Sequence, residues 1–201
     1  MSTAELSRYT AVSKYCRHVA EERRRESWKE AVDRNVAMMT GKYPHLADRI
    51  QHSYDFVKDR RVLPSMRALQ FGGAPAMKHM ARIFNCTSSY CDRLKFFSEC
   101  FYLLLCGCGT GFSVQQHHVD RLPNFSKKRL AGVRLPKKKF VIPDCIEWWA
   151  DAEAALVSSY HEEAVPGFEE YQDCDLVFDP SPIRKKGSPL SCGIGLAPGP
   201  E

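Results

Sequence analysis

Glycines and cysteines, two residue types that could do chemistry, are concentrated in residues 103–115, LLLCGCGTGFSVQ. The segment could be a phosphate cradle, half of a metal site, or a tightly packed strand. A phosphate-binding P-loop would need a lysine after the glycines, and a dinucleotide fingerprint would need G-x-G-x-x-G before a helix. Here the spacing is G-x-G-x-G and a strand-like sequence follows, so both nucleotide motifs fail. The glycines then serve the close approach of a ligand or of a second backbone, and the sequence leaves both open.

The cysteines do not form a recognisable metal or disulfide pattern. The chain has nine of them, an odd and scattered set without any C-x-x-C pair, and Cys106 and Cys108 lack a partner pair at zinc-ribbon spacing. The adjacent His117 and His118 follow a predicted strand, where neighbouring side chains face opposite ways. We therefore predict no metal site.

Two further segments carry polar groups that could bind a ligand. NCTSS, residues 85–89, groups an amide, a thiol and three hydroxyls, which suits either a polar pocket or a simple Ser/Thr turn. KKRLAGVRLPKKK, residues 127–139, could bind phosphates or be a solvated basic loop. Aromatic residues are sparse there, which argues against a surface for single-stranded nucleic acid.

These residues must be positioned by helices and short strands. Apolar residues at three- and four-residue steps predict helical hairpins up to Met39, with Ser27 and Glu30 as a capping box at the start of the second helix. Further predicted elements are helices over 45–58, 96–105 and 145–160, a strand over 111–114 and a basic loop over 124–139. Pro143 and Asp144 are the expected start signal of the last helix. This alternation predicts an α/β fold, with a helical region over 1–60 and the α/β part over 61–201.

Composition limits the possible compartments and partners. A hydrophobic fraction of 44% and a charged fraction of 26% are those of a globular protein. No apolar run is long enough to span a bilayer and no signal peptide is visible, so we expect a cytoplasmic protein. The net charge of +5 favours anionic partners.

Six segments, in this order along the chain, resemble the catalytic subunit of ribonucleotide reductase, specifically its adenosylcobalamin-dependent (class II) branch. They are YCRHVAEERRRESWKEAVDRNV, RVLPSMRALQFGG, FNCTSSY, CGCGTGFSVQ, VIPDCIEWWADAEAAL and FDPSPIRKKGSPLSCGIGLAPGPE. Together they cover residues 15 to 201. The joint order of six segments is far more specific than any single glycine motif.

The resemblance implies the first part of a ten-stranded α/β barrel and a set of site residues. Cys86 would be one of two redox-active thiols, Ser65 and Asn85 would hydrogen-bond the substrate, and the backbone at Gly109, Thr110 and Gly111 would approach its sugar and phosphates. The basic loop, residues 124–140, lies where the family's effector region begins. The candidates to bind a deoxynucleoside triphosphate or ATP effector there are Lys127, Lys128, Arg129 and Arg134.

The resemblance also implies chemistry and partners. The reaction would replace the ribose 2′ hydroxyl of a ribonucleoside triphosphate with hydrogen through a thiyl radical. Adenosylcobalamin would be the cofactor, with most of its site outside this sequence, and a thioredoxin-like dithiol would be the reductant. No N-P-C-x-E-like radical cysteine is present, so we expect turnover only with a C-terminal portion as a separate chain or missing sequence, and a homodimer is possible. The alternative is a non-catalytic nucleotide-binding or interaction fragment of the same fold.

Overall fold

The computed structural model describes residues 2–190 and 195–200, so part of the last family-like segment, residues 191–194 with Cys192, lies outside the described residues. The chain divides into two compact units, residues 1–85 and 86–201. The boundary that the sequence predicts, between a helical region over 1–60 and an α/β part over 61–201, remains a prediction. The two compact units meet after residue 85 and not near residue 60. Leu69 belongs to the first unit because it packs in one apolar cluster with Val32 and Val57.

The first unit consists of short helices and one small hairpin. Its elements are α1 (Thr3–Lys14), β1 (His18–Val19), β2 (Arg24–Arg25), α2 (Trp28–Lys42), α3 (Ala47–Lys58), α4 (Met66–Phe71) and α5 (Ala74–Lys78), with 3-10 turns at Pro44–Leu46 and Met80–Ile83. The predicted capping box of α2 is present, because the Ser27 hydroxyl accepts the Glu30 amide and the Glu30 carboxylate accepts the Ser27 amide. A local sequence signal therefore fixed the start of this helix.

A half-buried ion pair holds the turn after α4 against α2. Arg34 contacts both carboxylate oxygens of Glu26 at 2.8 Å and also donates to the carbonyls of Leu69 and Gly72. At Gly72 the backbone comes so close that an added Cβ would lie 2.5 Å from the Ala68 carbonyl oxygen. Tight packing of a glycine therefore occurs here.

The second unit contains two strand–helix–strand units, each with its two strands parallel. β3 (Cys86–Tyr90) pairs with β4 (Gly109–Ser113) across α6 (Lys95–Leu105), and β5 (Lys137–Val141) pairs with β6 (Asp175–Asp179) across α9 (Ile146–Tyr160). The remaining elements are α7 (Gln116–Val119), α8 (Lys127–Leu130) and a 3-10 turn at Glu169–Tyr171. Parallel strands need such helical crossovers, and the two crossover helices pack against each other.

Apolar clusters cover the inner faces of these crossovers. Phe140 and Ile142 from the β5 region pack with Ala152 and Ala155 of α9. Phe96 of α6 forms a second cluster with Cys91 and Cys100. The small residues on α9 allow this close approach of helix and strand.

Three local predictions were wrong. The basic loop is not all loop, because its end forms β5 and its middle forms α8. Asp144 does not cap α9: the N-cap is Cys145 without a side-chain hydrogen bond, and the Asp144 carboxylate accepts from Arg184 at 2.6 Å instead. His117 lies in α7 and not on a strand.

The structure confirms a mixed α/β fold. The strands of the described residues form three two-stranded sheets. None of the helices in the described ranges is both long and apolar enough to cross a membrane.

Candidate functional site

The β3–β4 pair brings the predicted redox thiol next to the glycine backbone. In the parallel register Cys86 is the partner of Gly109, Ser88 of Gly111, and Tyr90 of Ser113. Alternate residues of a strand face opposite sides, so these six residues share one face. On the other face α6 packs against the sheet, where the rings of Phe112 and Phe96 lie 5.2 Å apart and Phe112 remains more than half exposed. We call the first side, defined by these six residues, the open face.

Cys86 is the exposed cysteine on this face. Of the eight cysteines in the described ranges it alone is classed as exposed, Cys145 is half-buried, and the other six are buried. Burial, together with the nearby carboxylate of Asp92, raises the pKa of the Cys91 thiol. Burial likewise raises the pKa of Cys100. Exchange with an external dithiol requires access to the sulfur, so Cys86 is the described thiol best placed for it.

The glycine backbone beside Cys86 is open and not tightly packed. A Cβ added at Gly111 would meet only the Thr87 carbonyl oxygen, at an ordinary 3.9 Å. At Gly72, in contrast, the same addition would clash at 2.5 Å. The sequence left two uses open for the glycines of residues 103–115: close approach of a ligand or of a second backbone. At Gly111 the described residues leave room for a ligand, whereas Gly72, outside that segment, is tightly packed.

The two neighbours of Gly109 are less accessible than Cys86. Cys108 is buried and lies just before β4 begins at Gly109. Thr110 faces the α6 side, and its buried hydroxyl has no hydrogen-bond partner among the described residues. A substrate on the open face would therefore meet the Thr110 main chain only, and Cys108 is poorly placed to form a disulfide with Cys86.

The other two predicted substrate residues lie in the first unit, and both already have protein partners. The Ser65 hydroxyl donates to the Ile83 carbonyl at 3.3 Å. The Asn85 side-chain oxygen accepts from the Arg67 guanidinium at 3.2 Å. Arg67 was not predicted as a site residue, although it stands two residues after Ser65 in the family-like segment RVLPSMRALQFGG. A ligand at these groups would have to replace or share these contacts.

The predicted effector residues differ in their surroundings. Arg129 is held inside the second unit: it donates to the carbonyls of Ser159 at 2.8 Å and Cys174 at 2.5 Å, and its guanidinium lies 3.8 Å from the ring centroid of Tyr160. Its position indicates a structural role. Each of the other three predicted residues is exposed: Lys127 pairs with Glu162 at 3.3 Å, Lys128 pairs with Asp173 at 2.8 Å, and Arg134 has no ion pair with any described residue. The prediction of an anion site here thus depends on those three.

A polar cluster that the sequence analysis did not identify lies at the far end of β3 and β4. His118 Nδ1 lies 3.1 Å from the Ser113 hydroxyl, and the His118 and Tyr90 rings are 4.5 Å apart. Desolvation, and then the nearby His117 and Arg121, lower the pKa of His118. In the part of the chain that is described, no cluster of His, Cys, Asp or Glu is suited to hold a metal ion.

Comparison with known proteins gives one informative likeness. No family model matches the chain, and no curated protein matches it. A solved crystal structure of a B12-dependent (class II) ribonucleotide reductase matches with a TM-score of 0.75 and 21% identity, over 96% of this chain and 34% of that chain. The chain thus has the fold of part of that enzyme and spans about a third of its length.

Proposed function

We propose that this chain is a portion of a ribonucleotide reductase, and that its open face contributes a redox thiol and a bare strand backbone to a ribonucleotide site. One observation carries the proposal: Cys86 is paired with Gly109 on the side of the sheet that α6 leaves uncovered, with Gly111 two residues further on. The likeness in fold to a class II reductase supports it. The order of the six segments that resemble the family also supports the proposal.

In this proposal Cys86 supplies part of the reducing power. Reduction of the ribose breaks its C2′–O bond, releases the hydroxyl as water and forms a C2′–H bond. The two electrons come from a pair of thiols, which lose their hydrogens and become a disulfide. An external dithiol of the thioredoxin type then restores the pair by exchange, which requires an accessible sulfur at Cys86. Cys108 is buried whereas Cys86 is exposed, so we propose that the second thiol is another cysteine.

The complete reaction needs groups other than Cys86 and the glycine backbone of β4. In class II enzymes adenosylcobalamin supplies the radical that starts the chemistry. The resemblance assigns no residue of this chain to that cofactor, most of whose site would lie outside this sequence. As the resemblance implies, we propose that a C-terminal portion, present as a separate chain or as missing sequence, supplies the remaining groups. The strand pairs β3–β4 and β5–β6 would then join a larger closed barrel, which would also cover their unpaired edges.

The proposed substrate is a ribonucleoside triphosphate, as the resemblance implies. Gly109 and Gly111 would admit its sugar and phosphates to main-chain groups, since no side chain fills that space. The basic segment is the proposed effector site, in which Lys127, Lys128 and Arg134 are exposed predicted contacts.

Complementation tests the proposal. The chain is mixed with a candidate complementary chain, adenosylcobalamin, a dithiol and a ribonucleoside triphosphate, and deoxynucleotide formation is measured. We expect activity that is lost in Cys86→Ser and retained in Cys145→Ser, a matched change at a half-buried thiol. Activity that survives Cys86→Ser would contradict the assigned role of this residue.

A second candidate function is a non-catalytic nucleotide-binding fragment with the same fold. The protein partners that Ser65 and Asn85, both predicted to bind substrate, already have favour it. It predicts nucleotide binding by the isolated chain without restored turnover by any complementary chain. Turnover that depends on Cys86 would exclude it.

A further inference from the structure

The first unit contains an arginine-lined cleft that the proposed reductase function does not use. Its volume is about 370 Å³, and it lies between α1, the β2 strand and the start of α2. The residues that line it are Arg8, Ala11, Val12, Arg24, Arg25, Glu26, Ser27, Trp28 and Arg60. Four arginines therefore line one small cleft.

The acidic residues near this cleft are already paired. Glu22 and Glu30 both contact Arg24, at 2.6 and 2.7 Å. Glu26 is engaged by Arg34 at 2.8 Å, outside the cleft lining. Hydrogen bonds from Arg34 and from the Arg17 amide lower the pKa of Glu26 even though burial opposes this. These carboxylates are thus committed to other partners.

Three arginines of the cleft keep uncompensated charges. Arg8 and Arg60 have no ion pair with any residue in the described ranges. Arg25 donates to the Cys16 carbonyl at 2.8 Å, which leaves its positive charge without a carboxylate. Guanidinium groups bind phosphate oxygens in a bidentate fashion, so three unpaired groups around one cavity form a suitable environment for a multiply charged phosphate chain.

A second, more apolar cleft adjoins the first. Its volume is about 350 Å³, and Ala11, Trp28 and Arg60 line both clefts. Its other lining residues are Ser7, Thr10, Tyr15, Leu63 and Met66. The Arg60 guanidinium lies 5.5 Å from the ring centroid of Trp28, at the boundary between the two. A flat apolar group could occupy this second cleft while an attached phosphate chain occupies the first.

We propose that the arginine-lined cleft is a binding site for a small-molecule polyphosphate, either the phosphate chain of a nucleotide or inorganic polyphosphate. The confined cavity, whose size is within the range of about 300–1,000 Å³ for small-ligand sites, favours a small molecule over a nucleic acid. The site is distinct from the open face, since its residues belong to the first unit and Cys86 to the second.

Calorimetric titration of the full chain with ATP and with tripolyphosphate tests the site. We expect both to bind, and the double variant Arg8→Gln, Arg60→Gln to weaken binding by about tenfold or more, the effect of one lost charge-assisted contact or more. Arg49→Gln, an exposed arginine elsewhere in the first unit, is the matched control and should leave affinity unchanged. Arg134→Gln removes a cation of the proposed effector segment, so ATP binding that this variant weakens belongs to that segment and not to the cleft.

The indole signal of Trp28 in a proton–nitrogen spectrum gives a second readout, because its N–H is fixed by the Val57 and Lys58 carbonyls at 3.2 and 3.3 Å. A shift with ATP but a smaller one with tripolyphosphate would identify a nucleotide as the occupant. Equal affinity and equal shifts would identify inorganic polyphosphate. Failure of both probes to shift the Trp28 signal, or a shift with unchanged affinity in the double variant, would overturn the proposal, whereas binding without any Trp28 shift belongs to the substrate or effector site of the proposed function. Much tighter, strongly salt-dependent binding of an oligonucleotide at the same arginines would overturn it as well.

Discussion

Paired alanine substitutions at Gly72 and Gly111 test the distinction between packed and open glycine backbone. At Gly72 the new Cβ would lie 2.5 Å from both the Ala68 carbonyl oxygen and the Asn35 side-chain oxygen. Asn35 is fully buried, so it has little freedom to move away. Overpacking of this kind costs about 1–3 kcal/mol. The backbone φ of −50° at Gly72 is accessible to alanine, so the clash alone accounts for the expected loss.

At Gly111 the same substitution should leave stability unchanged or raise it slightly. The nearest atom to the new Cβ would be the Thr87 carbonyl oxygen at 3.9 Å. Replacing a strand glycine by alanine also reduces the entropy of the unfolded chain, which stabilises by roughly 0.5–1 kcal/mol where the geometry allows it.

Thermal unfolding followed by circular dichroism measures both effects. For a chain of this size about 1 kcal/mol corresponds to roughly 2–4 °C in Tm. We therefore expect Gly72→Ala to lower Tm by about 2–12 °C and Gly111→Ala to leave it within a few degrees of the original. A loss for Gly111→Ala as large as that for Gly72→Ala would refute the reasoning, because it would mean that Gly111 is needed for packing.

Three further predictions concern stability. Glu26→Gln should destabilise the chain at pH 7 by roughly 1–3 kcal/mol, since charge-assisted hydrogen bonds from Arg34 are lost. The lowered pKa of Glu26 means that its contribution is present above its ordinary value of 4.5 and is lost as the pH falls below it, so the variant should show a weaker loss of stability in acid. Ser27→Ala should cost about 1 kcal/mol through the lost helix cap, whereas Ser53→Ala, an exposed mid-helix change, should not. Arg129→Ala should cost about 1.5–3 kcal/mol through its lost carbonyl contacts, whereas Arg134→Ala should be neutral.

Denaturant titrations check all three. Equal acid sensitivity of the original chain and Glu26→Gln would contradict the role of the ion pair. Equal effects of the two serine changes would contradict the capping box. A neutral Arg129→Ala would mean that its internal hydrogen bonds contribute nothing, and that this arginine is available for an effector after all.

Local elements were predictable where a short-range signal defines them. The Ser27 cap, the apolar crossover helix after Lys95 and the helix that ends at Tyr160 each follow from residues a few positions apart. Such elements depend on side chains that meet within one or two turns, and the sequence displays those directly.

Strand β5 was missed because lysines conceal its alternation. Lys138 takes an inward position between exposed neighbours, with its ammonium 2.6 Å from Glu170 and 4.7 Å from the ring centroid of Tyr171. A half-buried lysine stem next to Phe140 thus behaves as an apolar strand residue, although the sequence shows only three consecutive charges. Its partner is more than thirty residues away, so nothing nearby in the sequence reveals the pairing.

The candidate site was predictable only in its main members. The quoted motifs indicated Cys86 and the glycines, and the register of β3 and β4 places them side by side. The outward or inward direction of Thr110 depends on that register, which the sequence alone does not define. The internal contacts of Arg129 depend on the carbonyls of Ser159 and Cys174, from two distant segments, and these could not be predicted.

Alkylation of Cys86 in the presence and absence of a ribonucleotide tests the central claim most directly. The rate of modification by iodoacetamide is measured by mass spectrometry, with Cys192 changed to serine and with CTP as the probe. The account predicts that Cys86 reacts faster than the seven other described cysteines, that CTP slows this reaction in proportion to its occupancy, and that Gly111→Val removes the protection. An unchanged rate at saturating CTP, or protection that persists in Gly111→Val, would contradict a ribonucleotide site on the open face.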